Sequence, residues 1–366
     1  MQEGKAEVIA NEEGGTSSLI PSYLGLFADG PLLLLDRQIP SILSYTEGEE
    51  YHGTQAKSQL IRNPQNTVAY FRDYIGKEYD LPFSIIPTLS ASNASSSFDA
   101  IDPTPSHSSA HPTKHSSTIA FSIQDTPSSE PSTTPISEIT TRHIRRLASS
   151  ASDFLGKKVN AAVITVPTNF SDEQKTALSK SAKDAGVEVL QIISEPVAAV
   201  LAYDARTEAK VADKIVVVAD FGGTRSDVAV IASRGGMYSI LSTAHDYETA
   251  GTQLDQILID HFAKEFMKKN KTDPRKDKRS LAKLKIEAEA TKKSLSLGGN
   301  ASLSVESLAD GVDFSSTINR TRYELLASKV FGAFTRLIEE AIRKADLDIL
   351  DIDEVLNPFP PCNTPR

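Results

Sequence analysis

The segment at residues 214–232 reads KIVVVADFGGTRSDVAVIA. Two short apolar runs rich in valine flank an aspartate and two glycines, a pattern typical of two buried strands joined by a glycine-rich turn. Such a turn can place backbone N–H groups against a phosphate, with the carboxylate of Asp220 beside the accompanying metal ion. A plain β-hairpin with a Gly-Gly turn fits the same letters. The segment alone leaves both interpretations open.

The composition indicates a globular protein without a strongly basic surface. The chain has 366 residues, of which 39% are hydrophobic and 24% charged, and its formal net charge is -9. That length favours two lobes, and the acidic balance argues against direct contact with nucleic acid. The single cysteine, Cys362, excludes an intramolecular disulfide and suits a reducing compartment. No stretch has the character of a membrane span or a secretory signal, so we expect a cytoplasmic protein.

Residues 87–135 are dominated by serine, threonine and proline. Such a composition supplies little apolar area to offset the entropy of ordering, which predicts a disordered, protease-sensitive surface loop. His107, His111 and His115 lie within it and spaced histidines can bind metals. They have no cysteine or acidic partners at tight spacing, so we predict no metal site.

A long helix predicted over residues 281–297 gathers four polar side chains on one face. Glu289, Lys292, Lys293 and Ser296 stand at positions i, i+3, i+4 and i+7. By composition this is a solvated face with i,i+4 ion pairs. A ligand-binding face is the alternative.

Five separated segments together resemble the heat shock protein 70 chaperone family, in the order that the family shows. They are VITVPTNFSDEQ at 163–174, IISEPVAAVLAY at 192–203, DFGG at 220–223, EATKKSLS at 289–296 and SLADGVDF at 307–314. Within the family, RNP at 62–64 and INRTRYE at 318–324 are most similar to the atypical fungal branch that pairs with the J-domain protein Zuotin on the ribosome.

The resemblance implies an α/β, actin-like fold in which two lobes surround a cleft for ATP with Mg²⁺. The first lobe would span residues 1–206 and the second 207–356, followed by a tail at 357–366 that is foreign to the family. By the same resemblance, the catalytic centre comprises Glu195, Asp220, Asp227 and Arg72. The nucleotide-binding set comprises Gly222, Gly223, Thr224, Gly251, Glu289, Lys292, Lys293 and Ser296. No direct metal ligand is assigned.

Departures from the family pattern concentrate at the implied centre. Arg72 stands where the family has its catalytic lysine, and Arg225 stands where it has a threonine. Thr224 replaces a glycine, and Lys175 replaces an arginine that relays between domains. Arginine is a larger, planar cation and replaces a lysine point charge at a phosphate poorly. The resemblance therefore implies nucleotide binding with weak or no hydrolysis.

Larger gaps concern the family's two phosphate loops. No phosphate hairpin precedes residue 7, and residues 357–361 read NPFPP where a glycine-rich loop is expected. Residues 16–36 form an insert that resembles no part of the family. We therefore expect weak ATP affinity and a truncated or misassembled gene product, with a genuine short isoform as the alternative.

The function implied is that of a chaperone component that assists nascent chains on ribosomes together with a J-domain co-chaperone of the Zuotin type. Contact with the ribosome and nascent chains would be indirect, and no membrane contact is expected. The alternatives are an ATP-hydrolysing chaperone, a small-molecule kinase of the same fold and a fragment without function.

Overall fold

The computed structural model describes residues 39–69, 71–78, 110, 112–124, 130–204 and 213–357. These residues form two compact units, the first ending at Glu195 and the second beginning at Pro196. The division falls earlier than residue 206, where the resemblance placed it. Each unit is described by itself below.

The first unit combines three small sheets with helices. Its elements are β1 (Ile42–Thr46), β2 (Glu49–His52), α1 (Gly53–Arg62), β3 (Thr67–Ala69), β4 (Pro112–His115), β5 (Thr118–Ile123), β6 (Ser132–Pro135), α2 (Ile136–Leu155), β7 (Ala161–Val166), α3 (Asp172–Asp184) and β8 (Glu188–Ser194). The sheet orders are β2-β1-β3, β4-β5-β6 and β7-β8. The first two sheets are antiparallel, and β7 and β8 are parallel with α3 between them in the chain.

A capping box at Ser171 begins helix α3. The Ser171 hydroxyl accepts a hydrogen bond from Gln174 N at 3.3 Å, and the Gln174 side chain accepts one from Ser171 N at 3.2 Å. This reciprocal capping box satisfies N–H groups that the first turn of a helix cannot pair internally. Ala182 on α3 then packs with Ile144 of α2 and Ala162 of β7 in one apolar cluster.

The prediction of a disordered loop over residues 87–135 is wrong for the part that the structure describes. Residues 112–115, 118–123 and 132–135 form the three strands of a sheet. Ile119, Phe121 and Ile123 on β5 are almost fully buried. Composition averaged over a long window hid this short apolar run, which provides the buried area that the rest of the segment lacks. Residues 87–109, 111 and 125–129 lie outside the described residues.

One of the three histidines of this segment lies within the described residues. His115 lies at the end of β4 and is exposed, whereas His107 and His111 lie outside the described residues. No group of three or more His, Cys, Asp or Glu side chains that could hold a metal ion occurs in the described part of the chain.

The second unit holds a four-stranded sheet, a hairpin and four helices. Helix α4 (Glu195–Asp204) begins one residue before this unit and continues into it. The other elements are β9 (Lys214–Phe221), β10 (Ser226–Arg234), β11 (Met237–Asp246), α5 (Gly251–Asn270), α6 (Lys278–Leu297), β12 (Asn300–Ala309), β13 (Val312–Asn319), α7 (Arg320–Lys344) and β14 (Glu354–Leu356). The sheet order is β11-β10-β9-β14, and β12 pairs with β13. All these pairs are antiparallel except β14 with β9.

The predicted hairpin of residues 214–232 is confirmed, with one change. Strand β9 continues through Asp220 and Phe221, whereas the sequence suggested that Asp220 ends it. Val217 pairs with Val230, and both are fully buried at the centre of the sheet. The apolar run of β9 therefore forms the middle of the sheet, as a continuous β-branched run predicts.

The main core of this unit lies where α5, α6 and α7 meet β12 and β13. Phe262 and Phe266 on α5 both contact Phe314 of β13 edge to face, with ring centroids 6.3 Å and 5.6 Å apart. Asp277 and Asn319 cap α6 and α7 by accepting hydrogen bonds from backbone N–H groups at 2.8 Å and 2.7 Å. The helix predicted over 281–297 is thus confirmed.

No described helix combines the length and the apolar character needed to cross a membrane.

A buried histidine in the first unit makes its stability sensitive to pH. His143 on α2 lies edge-on to Phe71 with ring centroids 5.5 Å apart, and its Nε2 is 3.4 Å from Ser41 Oγ. Burial lowers the pKa of His143 to about 3. The neutral imidazole is therefore the form that the folded protein accepts.

We expect stability to fall as the pH is lowered through the window between the two pKa values of this histidine. The unfolded chain takes up a proton near pH 6.5, and the folded chain does not until about pH 3. The His143 contribution to the free energy of unfolding should fall by about 2 kcal/mol from pH 7 to pH 5. Urea denaturation at both pH values should show this loss reduced in His143→Leu and retained in His115→Leu. Equal pH dependence in both variants would contradict the assignment.

Candidate functional site

The implied site residues are divided between the two units. Arg72 and Glu195 belong to the first unit, and all the others belong to the second. Within each unit, some of these site residues lie in contact with one another.

In the first unit, Arg72 forms an ion pair with Glu195. Arg72 Nη1 lies 3.2 Å from Glu195 Oε1, and its Nε lies 3.4 Å from Asp73 Oδ1. Both Arg72 and Glu195 are partly buried, so water screens this pair less than a surface pair. Arg72, which the resemblance matches to the family's lysine, therefore offsets the negative charge of the Glu195 carboxylate.

The position of Arg72 is set by the buried residues around it. Arg72 begins a single 3-10 turn at Arg72–Tyr74, and the flanking Phe71, Tyr74 and Ile75 are buried. Gly76 follows with a φ of +70°, and a Cβ there would lie 2.7 Å from Gln174 Cα. Only glycine permits this approach to the start of α3. The Gln174 side chain also donates to Asp73 O at 3.4 Å.

In the second unit, the turn between β9 and β10 is joined to the first residues of α5 by backbone hydrogen bonds. Gly251 N donates to Gly222 O at 2.9 Å, and Thr252 N donates to Gly223 O at 2.8 Å. Gly222 N in turn donates to Arg225 O at 2.9 Å, which closes the turn around Thr224. Backbone hydrogen bonds therefore hold the DFGG motif and the first residues of α5 together.

The glycines at this junction are required by close backbone approach. A Cβ on Gly222 would lie 2.9 Å from Arg225 O, closer than real Cβ contacts. A Cβ on Gly251 would lie 3.4 Å from Gly222 O, Gly223 Cα and Lys292 Nζ. The N–H of Gly251 is already used by Gly222 O, so its role is to let α5 approach the turn.

Arg225 folds back onto the second acid of the motif. It is almost fully buried, and its Nε and Nη2 donate to the two carboxylate oxygens of Asp227. Its Nη1 donates to Tyr247 Oη at 3.1 Å, and the guanidinium lies 4.9 Å from the centroid of that ring. Asp220 is the cross-strand partner of Asp227. Arg225 thus offsets the repulsion between two acids that lie opposite each other in the sheet.

The predicted polar face of α6 contains a buried ion pair to α5 and a partly buried i,i+4 pair. Lys292 is 2% exposed, and its Nζ lies 2.7 Å from Asp255 Oδ1 and 3.1 Å from Gly251 O. Burial raises the pKa of Asp255, while the Lys292 ammonium opposes that rise. Lys293 and Glu289 form an i,i+4 pair at 2.9 Å, and both side chains are partly buried rather than solvated. Lys292 instead fastens α6 to the start of α5.

Ser296 is the residue of this face whose bonding is incomplete. Its Oγ is buried and has no hydrogen-bond partner within the described part of the chain. A buried hydroxyl without a partner is unfavourable unless a ligand or water satisfies it. This atom is therefore a candidate contact for the hydroxyl groups of a bound nucleotide.

Three side chains at the site were missed by sequence reasoning. Asp255 holds Lys292, Tyr247 holds Arg225, and Asp73 contacts Arg72. Asp255 lies one helical turn after Gly251, which is the only sequence signal that could have indicated it. Lys175, which stands where the resemblance has a relay arginine, forms an ion pair with Asp172 of its own helix at 3.0 Å.

The residues present fit a nucleotide better than they fit a protein-held magnesium ion. The unsatisfied Ser296 hydroxyl is suited to a polar ligand, whereas the N–H groups of Gly222, Gly251 and Thr252 already donate to backbone carbonyls. Glu195 and Asp227, in contrast, already accept hydrogen bonds from arginines. A guanidinium at each carboxylate supplies the charge that a cation would otherwise supply.

We expect Gly222→Ala to disturb this junction, because its Cβ would meet Arg225 O at 2.9 Å. The strain should destabilise the protein by about 1–3 kcal/mol. The matched control is Gly299→Ala, since a Cβ at Gly299 has nothing within 4 Å. Thermal unfolding of the two variants checks the prediction. Equal midpoints would show that the turn relaxes freely.

Comparison with known proteins places the chain in a family. The Hsp70 protein family model matches residues 35–356. Heat shock protein 70 homolog C57A7.12 of Schizosaccharomyces pombe is 43% identical over 369 residues, covering 100% of this chain and 58% of that protein. Ribosome-associated complex subunit SSZ1 of Saccharomyces cerevisiae is 47% identical over 321 residues, covering 88% and 56%.

A vertebrate relative is more distant. Heat shock 70 kDa protein 14 of Danio rerio is 31% identical over 355 residues, covering 97% of this chain and 62% of that protein. The chain spans less than two thirds of the length of each of these relatives. The family match nevertheless extends over both units of the structure. The chain therefore belongs to the Hsp70 protein family.

Proposed function

We propose that this protein is an atypical Hsp70-type chaperone component that holds ATP with little or no hydrolysis. The observation that carries the proposal is the pairing of Arg72 with Glu195 and of Arg225 with Asp227. Both arginines replace residues to which the family resemblance assigns a part in turnover, and both occupy carboxylates of the implied centre.

Binding rests on the second unit. The junction of Gly222, Gly223 and Gly251 fixes the turn that the family resemblance assigns to the phosphates, and the α6 face carries the unpaired hydroxyl of Ser296. The buried Lys292–Asp255 pair holds α6 and α5 in a fixed relation. A site assembled from fixed backbone and buried ion pairs is preorganised, which lowers the entropy lost on binding.

Turnover needs groups that orient a water and stabilise charge at the γ-phosphate, because bound ATP supplies the reactive phosphoryl group. A carboxylate that already accepts hydrogen bonds from a guanidinium is a weaker proton acceptor and holds a water less well. Arg225 uses both oxygens of Asp227 in this way, and Arg72 uses Glu195. The arrangement favours binding over hydrolysis.

An ATP-hydrolysing chaperone is the second candidate. Asp220 is the penultimate residue of β9, two positions before Gly222, and so keeps its place in the DFGG motif. The family match favours either chaperone function over a small-molecule kinase of the same fold. Turnover of the native chain decides between the two candidates.

The partner proposal follows from the likeness to Ribosome-associated complex subunit SSZ1, at 47% identity. We propose that this protein acts at cytoplasmic ribosomes with a J-domain co-chaperone of the Zuotin type, and that it reaches nascent chains through that complex. Co-purification of tagged protein with ribosomes and a J-domain protein tests this. Its absence from ribosomal fractions under low-salt conditions would contradict it.

For nucleotide binding, we expect a micromolar or weaker dissociation constant for ATP by titration calorimetry. Ser296→Ala should weaken binding by about tenfold, equivalent to roughly 1.4 kcal/mol for a lost hydrogen bond. The control is Ser294→Ala on the exposed side of the same helix, where Oγ donates only to Ala290 O. Removing Mg²⁺ with EDTA should change the affinity by less than about threefold, because arginines already neutralise the carboxylates. Nanomolar affinity that requires Mg²⁺ would contradict the proposal.

For hydrolysis, we expect single-turnover rates near the uncatalysed level in the native chain. The double variant Arg72→Lys, Arg225→Thr should raise the rate by at least about tenfold, because it frees two carboxylates and restores a point charge. The control Arg142→Lys, Arg275→Thr changes two ion-paired arginines elsewhere in the same two units. Fast native turnover without any gain in the double variant would show that Arg72 and Arg225 do not limit hydrolysis.

A further inference from the structure

A second concave surface lies in the second unit, on a part of α5 that the nucleotide residues do not use. It is a groove of about 630 Å³ between α5, the end of β13 and the first turn of α7. Its floor is apolar and includes Ile257, Ile318 and Leu326. Its rim is charged. The residues of the DFGG turn and of the α6 face take no part in its lining.

The acidic side chains of the rim are already engaged. Asp260 forms an ion pair with Arg275 at 3.0 Å and accepts a hydrogen bond from Gln256 at 3.0 Å. Glu265 lies 3.4 Å from His261 Nε2 and accepts a hydrogen bond from Ser316 Oγ. The pairing with Arg275 offsets the negative charge of Asp260. Glu265 keeps its negative charge, because a neutral imidazole and a hydroxyl do not cancel it.

The basic side chains of the rim are not engaged. Lys264, Lys268 and Arg322 are exposed, and no residue in the described ranges forms an ion pair or a side-chain hydrogen bond with them. Burial lowers the pKa of His261, Glu265 opposes that shift, and Arg322, Lys268 and Lys264 lower it further. All three cations therefore act on one ring at the centre of the groove. They form a local positive cluster on a chain whose net charge is -9.

The start of α7 adds to this positive field. Asn319 caps the helix and Arg322 stands in its first turn, with both residues lining the groove. The N-terminal end of a 25-residue helix carries a partial positive charge. An extended ligand lying along the groove would thus meet positive charge on both sides and apolar side chains beneath.

We propose that this groove binds an acidic peptide segment of a partner protein, in which carboxylates flank one or two apolar residues. The carboxylates match Lys264, Lys268 and Arg322, and the apolar residues match the floor. The floor favours a peptide over RNA, because the described residues that line the groove include no Phe, Tyr or Trp on which a base could stack. The site is independent of the nucleotide proposal, since it uses other residues.

The test is fluorescence anisotropy on the full chain with a labelled, glutamate-rich peptide that carries two central leucines. The double variant Lys264→Glu, Arg322→Glu should raise the dissociation constant at least tenfold. The matched control Lys180→Glu, Lys183→Glu makes the same charge change on the exposed side of α3 in the first unit. It should change the constant by less than twofold. Circular dichroism checks that both variants remain folded.

Two further arms separate the alternatives. Replacing the two leucines of the peptide by serines should weaken binding several-fold, and raising the salt should weaken it further because rim charges are screened. Equal loss in both double variants, or binding that does not depend on the leucines, would overturn the proposal. So would tight binding of a short single-stranded RNA that the groove variant abolishes while the peptide remains unbound.

Discussion

The hydrogen bonds between the β9–β10 turn and the start of α5 determine the geometry of the second unit's candidate site. A Cβ on Gly251 would already contact Gly222 O at 3.4 Å, and within the turn itself a Cβ on Gly222 would collide with Arg225 O at 2.9 Å. The buried Lys292 then extends the same junction to α6 through Asp255 and Gly251 O. Sheet and helices are thereby held in one fixed arrangement, which a ligand would meet already formed.

Charge compensation is the second constraint on the site. Each unit contains an arginine that pairs with a carboxylate of the implied centre, and in each the pair is shielded from water. A partly buried carboxylate without a partner would be unfavourable, since desolvation destabilises its charged form. The arginines offset this desolvation penalty by pairing with the carboxylates. The same bonds occupy carboxylate oxygens of Glu195 and Asp227, which is why the proposal of weak hydrolysis depends on these two pairs.

Arg225 and Arg72 are positioned by different kinds of contact. Arg225 is held by direct bonds to Asp227 and Tyr247 and is almost fully buried. Arg72 lies on a single turn whose neighbours are buried and whose following residue, Gly76, packs against the backbone of α3. The first is set by polar contacts of the side chain, and the second by the packing of the backbone that carries it. Disturbing α3 would therefore displace Arg72 without touching it.

Sequence alone indicated the family, the β9–β10 hairpin and helix α6, because these depend on local patterns, and the candidate residues followed from the family resemblance. The valine runs of β9 and β10, the capping box at Ser171 and the i,i+4 spacing on α6 are readable without any knowledge of distant contacts. It misjudged residues 112–135, where a short apolar run inside a polar segment is buried only because a sheet forms around it. Strands β11 and β13 were also missed, since their outward residues break the apolar pattern.

Only the tertiary structure decided what the candidate residues contact. Asp255 and Tyr247 carry no recognisable motif, yet they hold Lys292 and Arg225. Arg72 and Glu195 are 123 positions apart in the chain and meet at 3.2 Å. The groove beside α7 likewise depends on which cations of α5 and α7 face each other. Side-chain pairing is a property of surfaces that folding brings together, and no local pattern encodes it.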